Sequence, residues 1–211
     1  MKNLVILIIV VLIGCNNSSL YKDVTSSNED IKFYNLTEVV IFDETTTITL
    51  NIPKFLSKVP SPDDKTIFQY TSFEENSGYM VSMDKLVSRN TQKLTNKEYI
   101  DISNKGFKEQ MNGDLKELER VLSPTMKNVK VVQFEGNLII DDKYFLKRVS
   151  YYQDQNLVGT VLENVNCTEF HFVTLHDKKK YSLNIIYWGD DKSISDLIGL
   201  FNTIGGSVKF N

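Results

Sequence analysis

Two histidines, two cysteines and three Asp-Asp pairs are the residues of this 211-residue chain on which chemistry could rest. His171 and His176 lie five apart in "CTEFHFVTLHDKKKYSLNIIYW". On a strand, that spacing sends them to opposite faces, which is wrong for a shared metal ion. Glu169 and His171 share a face, but zinc needs three or four ligands. No metal ligand is therefore expected, and His171 reads as an exposed cross-strand partner. His176, at the start of "HDKKK", is expected in open water. Cys167 reads as a small buried residue with no ordered base beside it. The pairs Asp63-Asp64, Asp141-Asp142 and Asp190-Asp191 stand where turns are expected, and Asp favours turns for backbone reasons. A calcium site from Asp190, Asp191 and Asp196 would match no known loop spacing. There is no Gly-x-Ser-x-Gly and no phosphate loop, since Gly205-Gly206 reads as a helix stop. No catalytic residue and no cofactor are expected. Glu169, His171 and an aspartate gathered in one concave pocket would reverse that and point to a hydrolase.

Aromatic residues offer a different chemistry, that of contact. Tyr144, Tyr151, Tyr152, Tyr181, Tyr187 and Trp188 all fall on expected strands, where most must pack. Tyr151 and Tyr152 are adjacent, as are Tyr187 and Trp188. Alternation sends one of each pair outward. These four are the expected binding surface.

The amino end carries the most specific signal. Lys2 is followed by an unbroken apolar run from Leu4 to Ile13. About 20 such residues are needed to span a bilayer, so the run reads as a signal sequence and not as a permanent span. Leu12-Ile13-Gly14-Cys15 resembles the lipobox of bacterial lipoproteins. The resemblance implies cleavage after Gly14 and acylation of the Cys15 thiol. Its several acyl chains would hold the chain firmly at a membrane. Asn16 after the cysteine points away from inner-membrane retention, so the expected location is the cell envelope, on the periplasmic or surface face of the outer membrane. If Cys15 is acylated, Cys167 has no partner and no disulfide forms.

Residues 16–30, "NNSSLYKDVTSSNED", hold little to bury and read as a flexible tether. The expected organisation is a signal peptide over 1–14, an acylated cysteine and tether over 15–35, and one globular domain over 36–211. About 195 residues remain after cleavage, enough for one substantial core. The net charge of −3, with acids and bases interspersed, excludes the concentrated basic face of a nucleic-acid binder.

The elements that must position these residues are legible as periodicity. Residues 46–52 alternate and read as a half-buried strand closed by Pro53. With 66–73 and 78–87 they read as an antiparallel meander. Thr95-Asn96-Lys97-Glu98 is a capping box that opens a helix. A break is expected near Gly113, with a second helical piece over 114–122. "VKVVQFEG" and "NLIIDDKYFLKRVSYY" pair through a turn at Asp141-Asp142. Residues 167–175 and 180–188 form the strongest hairpin. The segment 153–166 reads as a short strand or loop excursion. Ser193-Ile194-Ser195-Asp196 opens a last helix, and 207–210 is a last strand.

This is an α+β order around a central, mostly antiparallel sheet flanked by helices. With "ITLNIPKFL" early, "YSLNIIYW" late and a closing helix before "GGSVKF", it resembles the Mog1/PsbP-like fold, an α/β/α sandwich. The resemblance spans about residues 40 to 210. It implies a mostly non-enzymatic family of accessory and binding proteins. PsbP supports photosystem II and Mog1 binds a small GTPase, and neither role can be matched here residue by residue. The sequence thus leads to a lipid-anchored, non-enzymatic module for an unidentified envelope protein. The alternative is a small-ligand carrier with a cleft between sheet and long helix.

Overall fold

The computed structural model describes residues 22–88, 91–111, 126–154 and 165–211. The strongest period-two patterns become the middle of a large sheet. In chain order the strands are β1 (Lys22–Asp23), β2 (Leu36–Asp43), β3 (Thr46–Pro53), β4 (Ser57–Val59), β5 (Thr66–Phe73), β6 (Gly78–Leu86), β7 (Met126–Ile140), β8 (Lys143–Asp154), β9 (Val165–His176), β10 (Lys179–Trp188) and β11 (Lys209–Phe210). The helices are α1 (Asn28–Phe33), α2 (Asn96–Met111) and α3 (Ile194–Gly206). Eight strands pair in the order β1-β7-β8-β9-β10-β6-β5-β4, and three in the order β11-β3-β2. Among the described strands only β1 and β7 pair in parallel.

Local chemistry sets the boundaries. The β9–β10 hairpin closes through Asp177 and Lys178, both at positive φ (45° and 63°). The β7–β8 hairpin closes through Asp141 and Asp142 in the same way (47° and 61°). Two such residues match the right-handed twist of the flanking strands. At the start of α2, Glu98 accepts from the Thr95 amide (2.9 Å) and returns its own amide to the Thr95 hydroxyl (3.3 Å). Asp196 accepts from the Ser193 amide (2.8 Å) before α3. Gly205 and Gly206 close α3 by close packing. A Cβ on Gly205 would stand 2.3 Å from the Phe172 ring, and one on Gly206 would stand 2.2 Å from the Val24 carbonyl.

The principal core lies between the two sheets and α3. Ile48, Leu50 and Ile52 of β3 meet Phe170, Phe172, Leu183 and Ile185 of the large sheet, with Leu197, Phe201 and Ile204 from α3. Alternation along β10 sends Ile186 and Trp188 the other way, into a smaller cluster with Val129, Tyr152 and Cys167. α2 packs on β7, β8 and β9.

Two expectations change. The three-stranded meander forms only in part: β5 and β6 pair antiparallel as expected, within the large sheet, whereas β3 pairs with β2 and β11. The partner strand β2 escaped notice because the turn at Glu44-Thr45 has no glycine, proline or asparagine to mark it. The described part of the expected tether is docked. Lys22 and Asp23 pair with β7, the Ser26 amide donates to the Gly206 carbonyl (2.9 Å), and its hydroxyl donates to the Thr203 carbonyl (2.5 Å). Polar composition hid this because the contacts are mainly to backbone. The second helical piece over 114–122, and 155–164 of the uncertain segment, lie outside the described residues.

A buried polar cluster ties the two sheets at the end of β2. The buried Asp43 carboxylate at the end of β2 accepts from Lys85 Nζ (2.5 Å) and from the Tyr181 hydroxyl (2.9 Å). Glu44 extends the contact to Lys85 (3.1 Å) and Lys179 (2.7 Å). The Asp43 bond raises the Lys85 pKa against the opposing effect of burial. Removing one partner of a buried pair leaves the other uncompensated. Asp43→Ala should therefore lower stability by about 3 kcal/mol, seen as a shifted urea midpoint at constant slope. A loss below about 1 kcal/mol would remove this clamp from the account.

Candidate functional site

On the face of the large sheet opposite the principal core, β10, β6 and β5 form the floor of a cleft of about 590 Å³. Residues directly opposite on antiparallel strands share a face, so the register lays the floor in rows. Phe73, Gly78 and Trp188 make the first row, and Thr71, Met80 and Ile186 the second. Gln69, Ser82 and Asn184 make the third, and Thr66 and Asp84 begin the fourth. The rows grade from aromatic through apolar to amide and carboxylate. Three steps of two residues make the gradient roughly 20 Å long. The segment Val59–Pro62, between β4 and β5, forms a side wall, and Asp154 from the end of β8 also lines the cleft.

Each end has a local cause. Trp188 can lie across β6 only because position 78 is glycine: a Cβ there would fall 2.3 Å from the indole. Phe73 packs against Trp188 at 5.3 Å between ring centroids and is 52% exposed at the mouth. At the polar end, Asp84 accepts from the Thr66 hydroxyl (2.8 Å) and the Asn184 amide (3.1 Å). Both hydrogen-bond partners are neutral and orient the carboxylate, while the Lys180 ammonium on the same face of β10 is the cation that feels its charge. No lysine, arginine or histidine is among the described lining residues, whereas two aspartates are.

Beside the cleft, toward β8, is a buried row of charge. Arg148 approaches Glu169 at 3.6 Å, with both side chains largely buried. Burial raises the Glu169 pKa, and the Arg148 charge opposes it. Burial, then the positive Arg148 and Lys180, push the His171 imidazole well below its ordinary value. His171 is thus held neutral beside cations and is a weak base, which corrects its expected place as an exposed partner. Glu169 and His171 are not among the described residues lining the cleft, so the gathering that would have marked a hydrolase does not occur there. Burial pushes the Cys167 thiol up to about 12, too high for a thiolate nucleophile at neutral pH.

Of the four aromatics expected to form a contact surface, Tyr152, Tyr187 and Trp188 are buried, and Tyr151 is half-buried. Alternation holds, but both faces of these strands are packed, so the outward member of each pair is buried as well. Only Trp188 meets the cleft. His176 faces away from His171, as the spacing requires. It is half-buried against Phe210 (5.1 Å between centroids) and not in open water. Cys15 lies outside the described residues. The cleft residues Gln69, Thr71, Ser82, Asp84 and Asn184 were missed. Their alternation with apolar neighbours is the usual sign of a solvated strand face. The sign that this face is partly walled is the proline-rich "VPSP", which reads from sequence as an ordinary loop.

No family model matches the chain, and no curated protein matches it. Solved structures do. The chain is similar to a cyanobacterial PsbP. That structure, from Synechocystis, is 12% identical, with a TM-score of 0.45 over 88% of this chain and 90% of its own. LpqN of Mycobacterium tuberculosis, described as involved in cell envelope biogenesis, is 11% identical, with a TM-score of 0.42 over 88% of this chain and 97% of its own. A protein of Bacteroides thetaiotaomicron is 8% identical, with a TM-score of 0.35 over 78% of this chain and 45% of its own. Likeness of this depth carries no argument about activity or partner.

A lowered histidine pKa has a signed consequence. Unfolded, His171 takes a proton near pH 6.5. Folded, it resists that proton, so its contribution to stability is present above pH 6.5 and is lost as pH falls toward its depressed folded value. His176 is shifted in the same direction, by burial first. His171→Gln should flatten the fall in stability between pH 7 and pH 5, by at most about 1.4 kcal/mol per pH unit. Denaturant titrations at several pH values measure this. A variant curve parallel to the wild type would mean that His171 takes up its proton in the fold at the same pH as in the unfolded chain.

Proposed function

We propose that the chain is a lipid-anchored, non-enzymatic binding module of the bacterial cell envelope, and that its cleft holds a neutral or cationic amphipathic ligand. The graded cleft carries this reading. Its volume lies within the range of about 300–1,000 Å³ usual for small-molecule sites. The Phe73–Trp188 end suits an apolar body. Asp84, already oriented by Thr66 and Asn184, suits a hydrogen-bond donor or a cation. The cleft differs from the one expected, since its described wall is the Val59–Pro62 segment and not the long helix. The lipobox of Leu12 to Cys15 supports the anchor and the envelope location, and the element order supports a Mog1/PsbP-like arrangement.

A second reading, an accessory module for another envelope protein, has one observation of its own. β2 is an edge strand of the small sheet, with Val40 49% and Phe42 78% exposed. An open strand edge of this kind can add a strand from a partner.

N-phenyl-1-naphthylamine, an uncharged amphiphile that brightens in apolar surroundings, distinguishes the two. The chain should bind it at one saturable site. Thr71→Trp, which fills the middle of the floor, should weaken binding at least about tenfold, or about 1.4 kcal/mol, while leaving the melting temperature within a few degrees. Unchanged affinity in that variant would remove the cleft as the binding site and leave the edge-strand reading.

A further inference from the structure

We infer that the ligand of the cleft is a single-chain amphiphile with a zwitterionic head group, its ammonium on Asp84 and its anionic group on Lys180. The inference rests on the cleft being the binding site.

The strand register places the two charges. Asp84 of β6 stands opposite Ser182 of β10, and Lys180 is the next residue of β10 on that face. A diagonal pair of this kind is about 7–8 Å apart, within reach of long side chains. The floor therefore runs from Phe73 and Trp188 through amides to a carboxylate, and one step past its described lining to an ammonium.

The two charges do not close on each other. The Asp84 carboxylate accepts from the Thr66 hydroxyl (2.8 Å) and the Asn184 amide (3.1 Å), both neutral. Among the described residues no hydrogen bond or ion pair reaches the Lys180 ammonium. Lys180 is half-buried, and taking an ammonium out of water without a partner is costly. Its surroundings add positive charge. Arg148 lies on the same face, opposite His171, which is itself opposite Asn184. The Arg148 Nε is buried without a hydrogen-bond partner, and the approach of Arg148 to Glu169 is long, at 3.6 Å. Burial, then Arg148, lower the Lys180 pKa, and Asp84 opposes them. An ammonium held this way gains from an anion, phosphate or carboxylate. The oriented carboxylate one row away gains from a cation. A head group that carries both, a few ångströms apart, satisfies the two at once, and its net charge of zero matches that of the Asp84 and Lys180 pair. The apolar chain then lies along Met80 and Ile186 toward Trp188.

Displacement of N-phenyl-1-naphthylamine by probes that share a lauryl chain tests this, each used below its micellar concentration. Laurylamine is cationic and lauroyl lysophosphatidic acid anionic. Lauroyl lysophosphatidylethanolamine and S-laurylcysteine are zwitterionic, with phosphate and carboxylate respectively. At least one zwitterion should displace the dye at a concentration at least about tenfold below that of the cation or the anion. The tighter zwitterion assigns the anionic group as phosphate or carboxylate. Lys180→Met keeps the half-buried stem and removes the charge. It should weaken that zwitterion at least about tenfold, leave laurylamine unchanged or tighter, and hold the melting temperature within a few degrees. Lys180→Arg should retain zwitterion binding, and Asp84→Asn should weaken the zwitterion and laurylamine alike. Equal zwitterion affinity in the wild type and Lys180→Met, or a wild type that prefers laurylamine, would overturn the inference while leaving the cleft as the site. If the wild type does not bind the dye at all, the cleft reading fails, and the inference fails with it.

Discussion

The buried carboxylate of Asp43 ties the small sheet to the large one, and much of the molecule depends on that tie. It reaches Lys85 on β6 and the Tyr181 hydroxyl on β10. These neighbouring strands also floor the cleft, with their next residues, Asp84 and Ser182, turned to the opposite face. One pair of strands therefore carries a charge clamp on its core side and the polar end of the cleft on its other side. Tyr181 is held in its neutral form by burial above all, which suits a donor to a carboxylate. Dispersion and apolar burial supply most of the stability. They are non-directional and do not fix how the small sheet lies over the large one, whereas a buried, hydrogen-bonded carboxylate does.

The same division of faces explains why this protein presents an amphipathic groove rather than an aromatic patch. The core side of β9 and β10 is taken by Phe170, Phe172, Leu183 and Ile185. On the opposite side, Trp188 lies across Gly78, so its ring forms part of the floor of a groove and does not stand out as a knob. At the polar end of the groove Thr66, Asp84 and Asn184 are hydrogen-bonded to one another, which fixes their geometry before any ligand arrives. Preorganisation of this kind reduces the entropy lost on binding.

Much of the frame was legible in the sequence because its signals are local. The capping boxes at Thr95 and Ser193, the paired turn residues at Asp141 and Asp177, and the alternation through "YSLNIIYW" each act within a few residues. What escaped depends on contacts between distant segments. β2 has no turn marker and is fixed by its pairing with β3. Residues 22 to 26 are docked through backbone hydrogen bonds that composition cannot reveal. Gly205-Gly206 reads as a helix stop, yet its reason is the Phe172 ring, more than thirty residues away. The burial of Tyr152 and Tyr187 follows from a sheet packed on both sides, which period-two alternation alone does not disclose. The cleft combines these cases, since its rows come from three strands whose adjacency was only partly foreseen.

A crystal structure of the full chain, purified without denaturation from the cells that make it, tests the central claim most directly. The account predicts elongated density for a bound molecule along the rows from Trp188 to Asp84, with its apolar part against Phe73 and Trp188 and a donor within hydrogen-bond distance of the Asp84 carboxylate. A cleft filled by the protein's own side chains, or one that holds only water when the chain comes straight from the cell, would contradict it.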